Sequence, residues 1–284
     1  MNYELIAFDM DGTLLDSKKQ VLPSSVEAIA QATSVGKSVA ICSGRCPIMV
    51  AHHHDDMPSV RYAICSSGAT LYDMDEDRIL SSHALTKELI ALVRDLSASE
   101  DLSLDAFCGR GFYYPAQHYH TLDRYGVGIY ESLFHETGMA VEDTWGTILD
   151  PAVSVEKIDL HFADRPSRDR VLERIEGLPF DLAYSESTTL EISPAGVNKG
   201  TGLTELATIL GISVEATIGV GDSNNDLPML RAAGLAVAMA NGNENTRTLA
   251  DVIVADNDHD GCAEAVHRFL LGGEEVEKSE ARRS

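Results

Sequence analysis

Basic residues are in short supply in this chain. It carries 22 lysines and arginines against 45 aspartates and glutamates, a formal net charge of −23 at pH 7. Such a surface repels phosphate backbones, so neither nucleic acid nor an anionic membrane is an expected partner. A small anionic substrate would have to be met by a few local cations, which makes individual lysines and arginines worth locating. Long apolar runs are missing as well: no window approaches the roughly 18 residues that a membrane helix requires. The first residues lead straight into a strand-like run with no basic stretch or apolar signal core, so no secretory signal is expected. Cysteines are few: Cys42, Cys46, Cys65, Cys108 and Cys262 are odd in number and form no C-x-x-C pair. That usage fits a reducing cytoplasm and buried thiols. The run His52-His53-His54-Asp55-Asp56 lacks the partners of a soft-metal site and reads as a solvated helix end or loop.

At 284 residues the chain is long enough for two domains. Short apolar strands are expected at Leu5–Phe8, Ser38–Cys42 and Arg61–Cys65, separated by a helix over about Ser24–Val35 and another starting near Pro47. Each strand ends in small or polar residues, the pattern of a parallel βαβ sheet with its site at one edge. The texture changes from 84 to 187. Helices are expected at Thr86–Leu96 and Ser167–Ile175, and strands at Leu102–Phe107, Gly111–Pro115, Val155–Phe162 (half-buried by its alternation) and Phe180–Tyr184. Most aromatics lie there. After Leu190 the α/β texture returns, with a helix over Thr201–Leu210 and strands at Ala216–Val220, Leu235–Met239 and Val252–Val254. The expected fold is α/β: a Rossmann-like parallel-sheet core over 1–83 and 188–273, an inserted α+β domain over 84–187, and an acidic flexible tail over 274–284. Gly219-Val220-Gly221 is a weak dinucleotide fingerprint, because Asn224 holds the third glycine position.

The strand ends carry the chemistry. Asp9-Met10-Asp11-Gly12-Thr13 follows the first apolar run, and two aspartates one residue apart on a strand point the same way. Carboxylates held close repel unless a cation or a proton intervenes, and a hard ion such as Mg2+ is the natural guest. Taken alone, D-x-D-G is equally a strand end followed by an Asp-Gly turn. Ser43-Gly44 alone is a turn, Lys199 an exposed lysine of a first helical turn, and Asp222 to Asp226 a solvated loop. Their common placement at strand ends or helix starts is what argues for a site.

Together these clusters closely resemble the haloacid dehalogenase-like superfamily of phosphotransferases. Asp9-Met10-Asp11-Gly12-Thr13 matches the first motif, Ser43 the second, Lys199 the third, and Gly221-Asp222-Ser223-Asn224-Asn225-Asp226 the fourth. Their order and the large insertion resemble the Cof-like branch with a type IIB α/β cap. The resemblance implies a Mg2+-dependent phosphatase acting on small phosphorylated metabolites, with sugar phosphates expected, through an aspartyl-phosphate. Asp9 would be the nucleophile and Asp11 the general acid and base, its neighbouring carboxylate favouring a retained proton. Mg2+ would sit between Asp9, the Asp11 carbonyl and Asp222, with Asp226 orienting those groups or Lys199. Ser43, Lys199 and Asn225 would hold the phosphoryl oxygens, beside Gly12 and Gly44. Thr13 would brace the turn, and Arg45 would meet substrate or cap, with a surface ion pair as the equal alternative. The cap's tyrosines suit a sugar ring or an aromatic core equally. Where relatives often have asparagine, this chain has Ser67 before Gly68. A phosphomutase on the same core is the alternative, and a non-catalytic phospho-ligand sensor a more distant one. The protein is expected to be cytoplasmic, a monomer or small homo-oligomer.

Overall fold

The computed structural model describes residues 2–184, 187–279 and 281. Its strands are β1 (Leu5–Phe8), β2 (Ser38–Cys42), β3 (Tyr62–Cys65), β4 (Thr70–Asp73), β5 (Arg78–Ser82), β6 (Leu102–Cys108), β7 (Gly111–Pro115), β8 (Met139–Val141), β9 (Lys157–Phe162), β10 (Phe180–Ala183), β11 (Thr189–Pro194), β12 (Thr217–Gly221), β13 (Leu235–Met239) and β14 (Val252–Val254). Eight form one sheet in the order β14-β13-β12-β1-β2-β3-β4-β5. It is parallel from β14 to β3 and turns antiparallel at β4 and β5.

The apolar runs explain why this sheet is central. Leu5, Ile6, Ala7 and Phe8 have no exposed surface, as strands covered on both faces require. Ile6 and Phe8 face the helices Pro23–Ser34 and Gly261–Ala265 through Ala28, Ile29, Ala32 and Ala265. Leu5 and Ala7 face the helices Lys199–Leu210 and Leu227–Ala232 through Leu203, Leu206 and Met229. Each fully buried leucine, isoleucine or phenylalanine contributes about 1.5–3 kcal/mol from apolar burial.

The second sheet runs β10-β11-β9-β6-β7-β8. The helices Lys87–Ser97 and Arg165–Ile175 pack on one face of it through Ile90, Val93, Val171 and Ile175. Three differences from the sequence-based expectation matter. The β4–β5 hairpin extends the core sheet where no strands were anticipated. Residues 189–194, expected to resume the core, instead pair with β9 and β10, so the smaller sheet runs past 187 to Pro194. The segment after Gly273 is not wholly loose: Arg268 bonds Glu274, Val276 packs on the core, and the Ser279 amide donates to Asp251 at 2.7 Å.

Candidate active site

The site grows from three adjacent strand ends. β1 delivers Asp9, β2 delivers Ser43 and β12 delivers Asp222 to the same edge of the sheet. Asp9 continues the ladder, its amide donating to the Val220 carbonyl at 3.0 Å, and is 5% exposed. Asn198 caps the helix Lys199–Leu210 by accepting from the Gly200 and Thr201 amides. That cap starts the helix two residues earlier than its apolar pattern suggested and places Lys199 in the first turn, aimed at the strand ends.

Lys199 Nζ donates to Asp9 Oδ1 at 2.5 Å and to Asp226 Oδ1 at 2.6 Å, with the lysine side chain 1% exposed. The other Asp226 oxygen accepts from the Asp222 and Ser223 amides at 3.0 Å each. Both Asp226 oxygens are thus committed to orienting the loop and the lysine. Thr13 Oγ1 donates to Asp222 Oδ1 at 3.0 Å, tying the turn after Asp9 to the loop after β12. Gly12 has φ of +82°, and a Cβ there would stand 2.6 Å from Asp222 Oδ2; only glycine fits that approach.

Charge is unbalanced here. One oxygen from each of Asp9, Asp222 and Asp226 lies within 4.8 Å of the others, and among the described residues Lys199 is the cation that bonds to this group. Burial, then repulsion from Asp226 and Asp222, raises Asp9 well above the carboxylate range despite Lys199. Burial and Asp226 push Asp222 up to about 6. An all-oxygen, partly buried, net-negative pocket fits a hard divalent cation, and Asp9 and Asp222 are its available carboxylates.

Asp11 behaves otherwise. Its carboxylate accepts from the Arg45 guanidinium at 2.8–3.2 Å and from Lys19 Nζ at 2.6 Å. Burial works upward on its pKa, but Arg45 and Lys19 outweigh it, and the net shift is downward. The expectation that Asp11 retains a proton is therefore corrected for this state: the raised carboxylate is Asp9. Arg45 also lies over the Tyr130 ring at 5.9 Å, joining Asp11 to the smaller domain. Ser43 is buried, with its carbonyl accepting from the Ser67 amide, and Asn225 Oδ1 accepts from Ser223 Oγ at 2.6 Å.

Above these groups the smaller sheet closes a cleft of about 370 Å³. Tyr114 and Tyr119 do not line it. They stack in an aromatic cluster with Phe112 and Phe134, while Phe107, Ile129, Tyr130 and Phe134 form the apolar wall. The polar roof is a set that the sequence reading did not single out: Lys157, Asp159 and His161 of β9, Asp105 of β6 and Glu191 of β11. Their signal was present in Lys157-Ile158-Asp159-Leu160-His161-Phe162, where charge alternates with apolar residues. β9 is buried on both faces rather than half-exposed. Ser67, held at φ of +56°, donates to Glu191 Oε2 at 2.8 Å and so reaches the roof directly.

A family profile described as haloacid dehalogenase-like hydrolase matches residues 6–266. Pyridoxal phosphate phosphatase YbhA of Escherichia coli (strain K12) is 28% identical over 95% of this chain and 100% of its own length. Phosphatase YwpJ of Bacillus subtilis (strain 168) is 29% identical over 94% of this chain and 100% of its own. A solved haloacid dehalogenase-like hydrolase from B. subtilis superposes with a TM-score of 0.83 at 27% identity, covering 94% of this chain and 100% of that one.

Proposed function

The chain belongs to the haloacid dehalogenase-like hydrolases, and on that premise we propose that it is a Mg2+-dependent phosphatase of small phosphorylated metabolites, sugar phosphates above all. The observation that carries the reading is the buried Asp9–Lys199–Asp226 chain beside Asp222, opening into the cleft.

Asp9 attacks phosphorus, and the bond from phosphorus to the leaving oxygen breaks as the aspartyl ester forms. Asp11 gives its proton to the leaving alkoxide. It then takes a proton from water, which attacks the same phosphorus and returns Asp9 to a carboxylate. In the free enzyme Arg45 and Lys19 keep Asp11 ionised; an arriving phosphate monoester monoanion offers both cations a second anionic partner and passes its own proton to Asp11, and this is the proton that Asp11 gives to the leaving alkoxide. Lys199 holds Asp9 in position, and Ser43, Lys199 and Asn225 hold the phosphoryl oxygens. Asp9, Asp222 and the Asp11 carbonyl would hold Mg2+; when bound, the ion would neutralise phosphoryl charge beside the nucleophile. The roof and wall of the cleft exclude water and contact the leaving group.

Phosphate release from a panel of sugar, nucleotide and cofactor phosphates in the presence of Mg2+ tests the reading. Asp9→Asn should lower turnover by orders of magnitude while leaving the fold intact. Near-normal release by that variant, or an isomerised product in place of free phosphate, would reject it.

A further inference from the structure

The roof of the cleft has an order beyond being polar. In the registers of β6, β9 and β11, Asp159 stands opposite Asp105 on one side and Glu191 on the other, so three carboxylates form one row across the sheet. The next row pairs His161 with Ser103 and Thr189, and Lys157 lies on the far side of Asp159. Lys157 Nζ bonds Asp159 Oδ2 at 2.9 Å and Glu191 Oε2 at 2.8 Å. His161 Nε2 meets Asp105 Oδ2 at 2.8 Å. One oxygen is left over: Asp159 Oδ1 is enclosed without a hydrogen-bond partner, on a residue 7% exposed that lines the cleft.

An enclosed carboxylate oxygen with nothing to accept is costly, and a ligand that donates to it recovers that cost. The row does not converge as a metal site does; among the described residues, the acidic group close enough for that is Asp9, Asp222 and Asp226. Three carboxylates against one lysine and one histidine leave the roof with no surplus cation for an anionic leaving group. Lys157, 1% exposed and bonded to both Asp159 and Glu191, fixes the carboxylate whose remaining oxygen a ligand hydroxyl satisfies. Phe107, whose ring lies under Lys157 Nζ at 4.5 Å, and Phe134 add apolar edges to the same wall.

Resting on the phosphatase reading above, we infer that Asp159, set by Lys157 and Glu191, is the specificity-determining acceptor for an uncharged, hydroxyl-rich leaving group, and that the roof discriminates against leaving groups carrying a carboxylate or a second phosphate. Ser67 joins this set through its bond to Glu191, so the serine that departs from the usual asparagine belongs to leaving-group recognition rather than to phosphoryl transfer.

The test compares kcat/KM for hexose and pentose monophosphates, phosphoglycerate, a sugar bisphosphate and acetyl phosphate in wild type and Asp159→Asn. Wild type should favour at least one sugar monophosphate over phosphoglycerate by 10-fold or more. Asp159→Asn should lower the ratio of sugar monophosphate to acetyl phosphate by about 10- to 100-fold, mainly through KM, the cost of leaving one buried polar group unpaired. A wild type active on acetyl phosphate that prefers the anionic leaving groups, or an Asp159→Asn ratio unchanged from wild type, overturns the inference and leaves the phosphatase reading standing. A wild type inert toward every ester and acetyl phosphate overturns both. If Asp159→Asn does not fold, the wild-type preference between sugar monophosphate and phosphoglycerate decides alone.

Discussion

Lys199→Met removes the positive charge at the bottom of the site while keeping most of the buried chain length. The lysine makes two charge-assisted hydrogen bonds, 2.5 Å to Asp9 and 2.6 Å to Asp226, in a setting where it is 1% exposed. Each such bond contributes about 1.5–3 kcal/mol, and leaving a buried charge without its partner typically costs about 3–5 kcal/mol. The structure therefore sets the expected loss at about 3–5 kcal/mol in chelator at neutral pH. Urea unfolding of the core, read as a shift in midpoint at unchanged slope, measures it. The loss should shrink as pH falls. Asp9 and Asp222 have folded-state pKa values raised above the unfolded ones, so their contribution is most favourable at low pH, where they hold protons, and declines as pH rises. Phosphate release by the variant in Mg2+ should fall about 100- to 1000-fold, as for the loss of one transition-state donor. A variant that unfolds within about 1 kcal/mol of wild type in chelator, with no pH dependence of the difference, would refute the counter-charge role.

Metal removal should abolish phosphate release, and Mg2+ should restore it. Mg2+ at about 100 times its Kd should also stabilise the wild type by about 2.7 kcal/mol, a gain that Asp222→Ala should lose in thermal unfolding. His161 is held above the ordinary imidazole pKa because Asp105 and Asp159 outweigh the downward effect of burial. Its stabilising contribution should be complete below about pH 6.5 and disappear as pH rises through the raised value; NMR titration of the ring, with His161→Gln as the stability control, checks both.

Much of the core was legible because its signals are local. The run Leu5–Phe8, the strand Ser38–Cys42 and the strand Leu235–Met239 are continuous apolar runs with turn residues behind them, and they fold as strands at those bounds. The residues of the four motifs lie at strand ends or first helical turns, where tertiary packing gathers them. What escaped the sequence was choice of partner. Thr189–Pro194 has the same period of two whether it joins one sheet or the other, and only pairing with His161, Leu160 and Asp159 assigns it to the smaller sheet. Asp11 was misjudged for a similar reason. Asp9 is its near neighbour in sequence, but Arg45, 34 residues away, is the group its carboxylate meets. The polar row of Asp105, Asp159 and Glu191 comes from three separate strands, so no single stretch of sequence displays it.

The central claim is that Asp9 carries the phosphoryl group between substrate and water. Stereochemistry at phosphorus tests it without requiring the intermediate to accumulate. Each in-line displacement inverts the phosphorus centre, so transfer to Asp9 followed by transfer to water restores the original configuration. Hydrolysis of a phosphorothioate monoester made chiral with oxygen isotopes, in isotopically labelled water, should give product with retained configuration. Inversion would mean that water displaces the leaving group in a single step, and would contradict the account of Asp9 as nucleophile.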